Sequence, residues 1–102
     1  MITAENALKI ARDRRRGDEY IFIRHAVASV LREAGFSLKK AGKVICRDHS
    51  TVKHSIEVHT GLIQTRHELY GAIFRDIQDC RHELIAIARE RIQTTSKEAV
   101  NA

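Results

Sequence analysis

The stretch SLKKAGKVICRDHSTVKHSIEVH, residues 37–59, carries the clearest structural pattern in the chain. Apolar residues recur at spacings of three and four in both halves of it, which predicts two short helices at about 38–44 and 48–59. Ser37 and Asp48 have side chains that favour helix N-caps. Two short helices joined by a tight turn are typical of a helix-turn-helix, in which the second helix lies in the major groove of DNA.

The segment before this stretch also has helical spacing. Thr3 is placed to cap a helix over about 4–13, and Asp18 to cap a second helix over about 20–34. Runs of β-branched residues alternating with polar ones are few, and the chain has no proline. The expected fold class is therefore all-α, a helix-turn-helix bundle with a long C-terminal helix.

That C-terminal helix is predicted over about 62–93. Its apolar stripe follows alternating spacings of four and three through Ile73, Ile77, Cys80, Leu84, Ile87 and Arg91. One continuous helix of about 32 residues would be roughly 50 Å long, more than the first four helices could cover. The stripe is either core of the same chain or, in part, the seam of a homodimer through Ile73, Ile77, Leu84 and Ile87.

Three regions follow from this organisation: a helix-turn-helix domain at 1–60, the long helix at 61–93 and a flexible tail at 94–102. Residues 1–60 hold twelve Lys and Arg against seven Asp and Glu, whereas 61–102 hold six of each. The whole excess of positive charge thus lies in the first region, which favours a polyanionic partner. Lys39, Arg47 and Lys53 surround the second helix of the pair and are expected to reach phosphates.

The string Cys46-Arg47-Asp48-His49-Ser50-Thr51-Val52-Lys53-His54 resembles the signature of the DNA-binding C-terminal domain of the bacterial replication initiator DnaA. That family carries Arg-Asp-His, then Thr or Ser, then Thr-Val, any residue, and His. The likeness continues upstream through Ser37-Leu38, Gly42 and Arg32-Glu33, and covers about residues 4–60 in all.

The resemblance implies a bundle like that of DnaA domain IV and of TrpR, and it implies roles for particular residues. Arg16, in the arginine-rich loop before the second helix, would enter the minor groove. Asp48, His49 and Ser50 would contact base edges in the major groove. The phosphate contacts would fall on Arg24, His25, Arg32, Thr51 and His54.

The chain departs from the family pattern at several positions. Cys46 replaces a glycine in a turn that is one residue shorter, and Lys39 stands where proline is common. Ser50 lacks the methyl group of threonine. No G-x-x-x-x-G-K-[ST] motif occurs, so the initiator's nucleotide-binding part is missing and the chain is expected to be the DNA-binding part alone, free-standing or a fragment. These differences bear on the preferred DNA sequence.

Other classes of function find little support. His49, His54 and His59 are five residues apart, about 140° per step around a helix, so they do not share a face that could hold a metal. Cys46 and Cys80 have no metal-ligand or disulfide spacing. No nucleophile–base pair and no paired carboxylates stand out. The chain is therefore expected to be no enzyme and to carry no metal or cofactor.

The predicted function is sequence-specific binding of double-stranded DNA, in replication initiation or in transcription regulation. The alternative is a helical protein-interaction or assembly module that uses the C-terminal helix. No apolar run has the length of a signal peptide or of a membrane span, so no membrane partner and a cytoplasmic location are expected.

Overall fold

The computed structural model describes residues 2–14 and 17–101, and this part of the chain is all-α, as the sequence predicts. None of its helices combines the length and the apolar character needed to span a membrane. In chain order the helices of these residues are α1 (Ala4–Arg12), α2 (Asp18–Glu33), α3 (Leu38–Ile45), α4 (His49–Gln64), α5 (Glu68–Asp79) and α6 (Arg81–Asn101).

The second helix, α2, lies at the centre of the bundle and packs against α1, α4 and α5. Three of the four buried residues of α1 are alanines, which lets α1 approach α2 closely. Leu8 and Leu31 are fully buried, and each burial contributes about 1.5–3 kcal/mol of hydrophobic free energy. The buried residues of α2 are Ile23, His25, Ala26, Val27, Ala28, Val30 and Leu31.

Two of the predicted helix caps are confirmed. The hydroxyl oxygens of Thr3 and Ser37 accept the backbone N–H three residues further on, at 3.2 and 3.1 Å, and these bonds begin α1 and α3. Asp18 was expected to cap α2 but is the first residue of that helix, and Gly17 occupies the cap position. The Asp18 carboxylate instead lies in the first turn, where a negative charge complements the helix dipole.

Helices α2, α3 and α4 end in the same way. Gly35, Cys46 and Arg66 adopt positive φ angles of 99°, 56° and 56°. The N–H of the next residue then reaches back five positions to a carbonyl oxygen, at 2.8–3.1 Å in all three cases. This is the Schellman closure, which glycine adopts without strain and other residues do not. Of these three helix ends, only the end of α2 could therefore be predicted from a glycine in the sequence.

The single helix predicted over 61–93 is wrong, because this range is divided among α4, α5 and α6. The left-handed Arg66 ends α4, and the ring of His67 accepts the N–H of Tyr70 at 3.2 Å to begin α5. At Cys80 the backbone leaves the helical path for one residue, with φ −110° and ψ 17°. The last helix, α6, then continues past the expected end at 93 to Asn101.

The apolar stripe of the C-terminal region lies largely inside the chain's own core. Ile77 and Leu84 are fully buried and Ile73 is 7% exposed, while Ile87 is half-buried against the same core. Because α5 and α6 fold back onto the first helices, the stripe is covered without a second copy. Of the four residues considered for a homodimer seam, three have almost no surface to offer one.

A cluster of aromatic rings joins α5 to α2 and α4. Tyr70 is fully buried, its hydroxyl hydrogen-bonds Nδ1 of His59, and its ring meets Phe22 edge to face at 5.4 Å. His59 packs edge to face on Phe74 at 4.7 Å. Burial raises the pKa of Tyr70 and lowers that of His59, so both groups are neutral in this cluster near pH 7.

Candidate nucleic-acid interface

The α3–α4 pair is held together by a turn at residues 46–48 that folds tightly against α3. A Cβ atom on Gly42 would lie 2.3 Å from the carbonyl oxygen of Arg47 and 3.6 Å from the side chain of Val52. The N–H of Arg47 also bonds the Gly42 carbonyl at 2.8 Å. The position therefore requires glycine for close approach of the backbone, whereas the left-handed residue of the turn is Cys46.

The N-terminal half of α4 is anchored by a few buried residues and otherwise exposed. Val52 is fully buried and Ser55 is 1% exposed, and Ile56 packs against the core. The side chains before and between these anchors face solvent. Every predicted contact residue from the start of α4 is in this exposed set: Asp48, His49, Ser50, Thr51, Lys53 and His54.

Three side chains at the start of α4 lie in contact with one another. The Ser50 hydroxyl donates to Oδ2 of Asp48 at 2.6 Å, and Nδ1 of His49 lies 3.1 Å from Oδ1. Asp48 occupies the N-cap position but its side chain makes no hydrogen bond to the backbone of the first turn. The bond from Ser50, followed by the neighbouring imidazole, lowers the pKa of the Asp48 carboxyl. The carboxylate is therefore charged at neutral pH, and its Oδ2 atom is bonded by Ser50.

Two arginines tie the end of α1 to this turn. Arg24 donates to the carbonyl oxygens of Ala11 at 3.2 Å and Asp13 at 2.6 Å. Arg47 donates to the same Asp13 oxygen at 2.7 Å and to the Cys46 oxygen at 2.9 Å. Burial, and then the neighbouring Arg47 charge, lower the pKa of Arg24. The unsatisfied carbonyl groups at the end of α1 are thus bonded by the guanidinium groups of α2 and the turn.

The thiol of Cys46 completes this contact. Nε of Arg12 lies 3.2 Å from its sulfur, so the last residue of α1 also touches the turn. An open cleft of about 320 Å³ lies at the same place and is lined by Arg14, Arg24, Cys46, Arg47 and Asp48. The run of arginines after α1 was the one indication of this cleft in the sequence, and nothing there showed that Arg14 would lie beside the turn after α3.

The remaining predicted residues are placed as follows. Lys39 is exposed on α3, and Arg32 is exposed near the end of α2, where it donates to the Phe36 carbonyl at 3.1 Å. Arg16 lies outside the described residues. Among the predicted contact residues that the structure describes, His25 is the one that is buried, with 8% of its surface exposed.

The burial of His25 contradicts its expected contact with a phosphate. Its Nδ1 atom has no hydrogen-bond partner within the described part of the chain. Burial, followed by the charge of Arg24, lowers its pKa to about 4. His25 therefore belongs to the neutral interior at pH 7, because α2 is covered on three sides instead of one.

Positive charge is concentrated on the α3–α4 pair. Residues 38–56 hold five Lys and Arg and a single acidic residue, Asp48. Lys39, Lys43 and Lys53 are exposed and form no ion pair with any described residue.

Within residues 2–14 and 17–101, no group of three or more His, Cys, Asp or Glu side chains could hold a metal ion.

Comparisons with protein-family models, with curated proteins and with solved structures return no match to this chain. The likeness to the DnaA DNA-binding domain thus remains a resemblance of sequence, and an assignment of function has to rest on the chemistry of the surface.

Proposed function

We propose that the chain binds double-stranded DNA by inserting the N-terminal turn of α4 into the major groove, with α3 and α4 acting as a DnaA-like helix-turn-helix. The observation that carries the proposal is the exposure of His49, Ser50 and Thr51 at the start of a helix whose next turn is fixed in the core by Val52. Short polar side chains on a rigid helix end are suited to donor and acceptor positions on base edges.

The unpaired lysines around this turn support the same proposal. Lys39 and Lys43 on α3 and Lys53 on α4 carry charge that no described acidic residue neutralises. Such a surface gains free energy on binding a polyanion, because its ammonium groups displace the counterions that are condensed around the phosphates. The exposed Arg32 adds a fourth cation near the end of α2.

Arg24 and Arg47 have a different part in the proposal. Both donate hydrogen bonds to carbonyl oxygens at the end of α1 or in the turn. They keep the end of α1 beside the turn that precedes α4, and the cleft at this place is lined by Arg14, Arg24 and Arg47 as well as by Asp48. A DNA phosphate at this cleft would meet guanidinium groups that are already fixed in position.

The proposal is tested by measuring binding to a fluorescent 30-base-pair duplex pool over a series of salt concentrations. Neutralisation of about five to eight phosphates predicts a log–log slope of about −4 to −7. The triple variant Lys39→Gln/Lys43→Gln/Lys53→Gln should flatten the slope by about 3.

A matched control removes the same charge elsewhere. Arg75, Arg81 and Arg89 are exposed on α5 and α6. Their combined replacement by Gln should leave the slope unchanged. A flat salt response of the wild type, or an equal loss in both triple variants, would contradict the proposed surface.

A further inference from the structure

The cleft beside the turn at residues 46–48 brings like charges close together. The residues that line it are Arg14, Arg24, Cys46, Arg47 and Asp48. Arg24 and Arg47 each donate from an Nη2 atom to the same carbonyl oxygen, that of Asp13, at 2.6 and 2.7 Å. The two nitrogens can therefore be no further apart than the sum of these two distances.

The guanidinium groups of Arg24 and Arg47 repel each other at this distance. Burial, and then the charge of Arg47, lower the pKa of Arg24, while the carboxylate of Asp13 is a smaller cause that acts in the opposite direction. Asp48 is the one acidic residue in the lining, and the Ser50 hydroxyl bonds its Oδ2 atom. Three arginines against one carboxylate leave two positive charges in excess, and an anion in the cleft would reduce their repulsion.

Arg14 is the part of this lining that the fold does not use. It is exposed and makes no hydrogen bond or ion pair with a described residue. Arg24 and Arg47, by contrast, are fixed by their bonds to carbonyl oxygens. The cleft therefore combines two guanidinium groups that are in place before a ligand arrives with a third that is available to bond it.

We propose that this cleft binds the terminal phosphoryl group of a small molecule, either a phosphomonoester or a longer phosphate chain. A terminal phosphoryl group carries about −1.5 to −2 charges near pH 7, which matches the excess at the cleft, whereas each internal phosphate of DNA carries one. Planar guanidinium groups bond phosphate oxygens in pairs. The cleft volume of about 320 Å³ lies at the lower end of the range for small-ligand sites, about 300–1,000 Å³.

The phosphoryl site does not depend on the binding of DNA, but its consequence for DNA rests on the proposed function. The cleft includes Asp48, the N-cap residue of the helix that is proposed to enter the major groove. A phosphoryl compound held there would occupy the place of a DNA backbone phosphate. The compound would therefore compete with the duplex, and its concentration would regulate DNA binding.

The first experiment titrates the protein alone with sodium pyrophosphate, while sodium chloride keeps the ionic strength constant. In ¹H–¹⁵N correlation spectra, the Nε–H signals of Arg14, Arg24 and Arg47 and the backbone amide signals of residues 46–48 should shift together. The shifts should saturate with a Kd below about 1 mM. Shifts that do not saturate, or that are spread over all exposed basic residues, would overturn the inference.

Three variants locate the bound pyrophosphate. Arg14→Gln should weaken binding about fivefold, because it removes a charge of the cleft without removing a bond of the fold. Asp48→Asn keeps an N-cap side chain but removes the carboxylate, and should strengthen binding by a similar factor. Arg75→Gln, on the exposed surface of α5, is the control and should leave the Kd unchanged. Equal effects of Arg14→Gln and Arg75→Gln would overturn the assignment to the cleft.

The second experiment measures duplex affinity in pyrophosphate and in sodium chloride of equal ionic strength. At twice its Kd, pyrophosphate should weaken duplex binding about threefold more than chloride does, and Arg14→Gln should reduce this difference. Duplexes with 5′-phosphates and with 5′-hydroxyls should bind equally well. A preference for the phosphorylated duplex would assign the site to DNA ends and overturn the role of a small molecule.

The outcomes separate the two proposals. Duplex binding without saturable pyrophosphate shifts would overturn the phosphoryl site and leave the proposed function in place. Saturable shifts at the cleft in a protein that binds no duplex would support the phosphoryl site and overturn the proposed function.

Discussion

Single residues with unusual surroundings determine the geometry of the α3–α4 junction. Gly42 is needed because the backbone of the turn passes where a side chain would be, and Cys46 accepts a left-handed conformation that costs a non-glycine residue free energy. The DnaA pattern that this stretch resembles has a glycine in the turn, where this chain has Cys46. In this chain the Cys46 thiol contacts Arg12, which offsets part of the backbone cost.

Gly42→Ala should destabilise the protein by about 1–3 kcal/mol, because the added methyl group meets a backbone oxygen that cannot rotate away. The control is Gly71→Ala in α5, where a Cβ atom meets nothing within 4 Å. That change should stabilise the helix by up to about 1 kcal/mol. Urea unfolding of both variants measures the difference, and equal effects would show that the turn does not need glycine at 42.

His25 should make the protein sensitive to mild acid. Its pKa is about 4 in the folded chain and that of an unfolded histidine is about 6.5, so the unfolded state takes up a proton first. Above pH 6.5 the titration of His25 leaves the free energy of unfolding unchanged. Between pH 6.5 and 4 it lowers that free energy progressively, by up to about 3 kcal/mol.

The free energy of unfolding, measured by urea at pH 7.5, 6.0 and 5.0, checks this dependence. His25→Gln removes the titrating group and should reduce the slope with pH. A slope that is unchanged in the His25 variant would show that other groups are responsible.

Sequence reasoning located the exposed side chains of α4 but not the buried one of α2. Asp48 is the N-cap residue of an amphipathic helix, and His49 and Ser50 follow it on the side away from the predicted apolar face. His25 was assigned by register with a family, and the assignment assumed that α2 buries one face. Because α1, α4 and α5 all cover α2, its buried set is wider than any single stripe predicts.

Between elements, the contact of the α1 end with the turn after α3 has the greatest consequence for the proposed site. Five hydrogen bonds link the end of α1, α2 and the turn after α3 across more than ten residues of sequence. Their donors are Arg12, Arg24 and Arg47. They hold the end of α1 and the turn that precedes α4 in a fixed relation. Loss of this contact should therefore affect both stability and binding.

Arg47→Lys should lower the free energy of unfolding by about 1–2 kcal/mol although the charge is kept. A lysine has one compact ammonium group and cannot bond the Asp13 and Cys46 carbonyls in the planar arrangement that arginine uses. Arg75→Lys, on the exposed surface of α5, should change stability by less than about 0.5 kcal/mol.

Urea unfolding of these two variants measures the effect of position at constant charge. Duplex affinity at low salt should also fall in Arg47→Lys, since the α1 end is released from the turn. Stability equal to the wild type in both variants would show that the contact contributes no free energy.

The elements themselves were predictable to different degrees. The starts of α1 and α3 carry hydroxyl caps and were located correctly, as was the short length of α3. The breaks at Arg66 and Cys80 carry neither glycine nor proline. A stripe with spacings of four and three also continues across a helix break when both helices face one core, so periodicity could not reveal that the chain turns.

For the whole molecule, the division of the C-terminal region into α5 and α6 removes the reason to require a partner. A continuous 32-residue helix would have left apolar surface beyond the reach of the other helices. Two shorter helices bury Tyr70, Ile77 and Leu84 completely within one bundle. The large apolar side chains that remain exposed in the described residues are Ile63 and Leu69, at 42% and 54%, where α4 meets α5.

Ile77→Asp/Leu84→Asp should therefore unfold the protein instead of dissociating an oligomer. Loss of the buried aliphatic groups alone costs about 2–5 kcal/mol at each position, and two carboxylates without partners add to this. A domain of this size has about 5–15 kcal/mol of stability in total. The matched control is Ile63→Asp/Leu69→Asp, which places the same charges on exposed positions and should keep the helical circular dichroism of the wild type. Sedimentation equilibrium at matched concentrations completes the experiment: a folded Ile77→Asp/Leu84→Asp variant of lower mass than the wild type would mean that the stripe is an interface between copies and not the core of one.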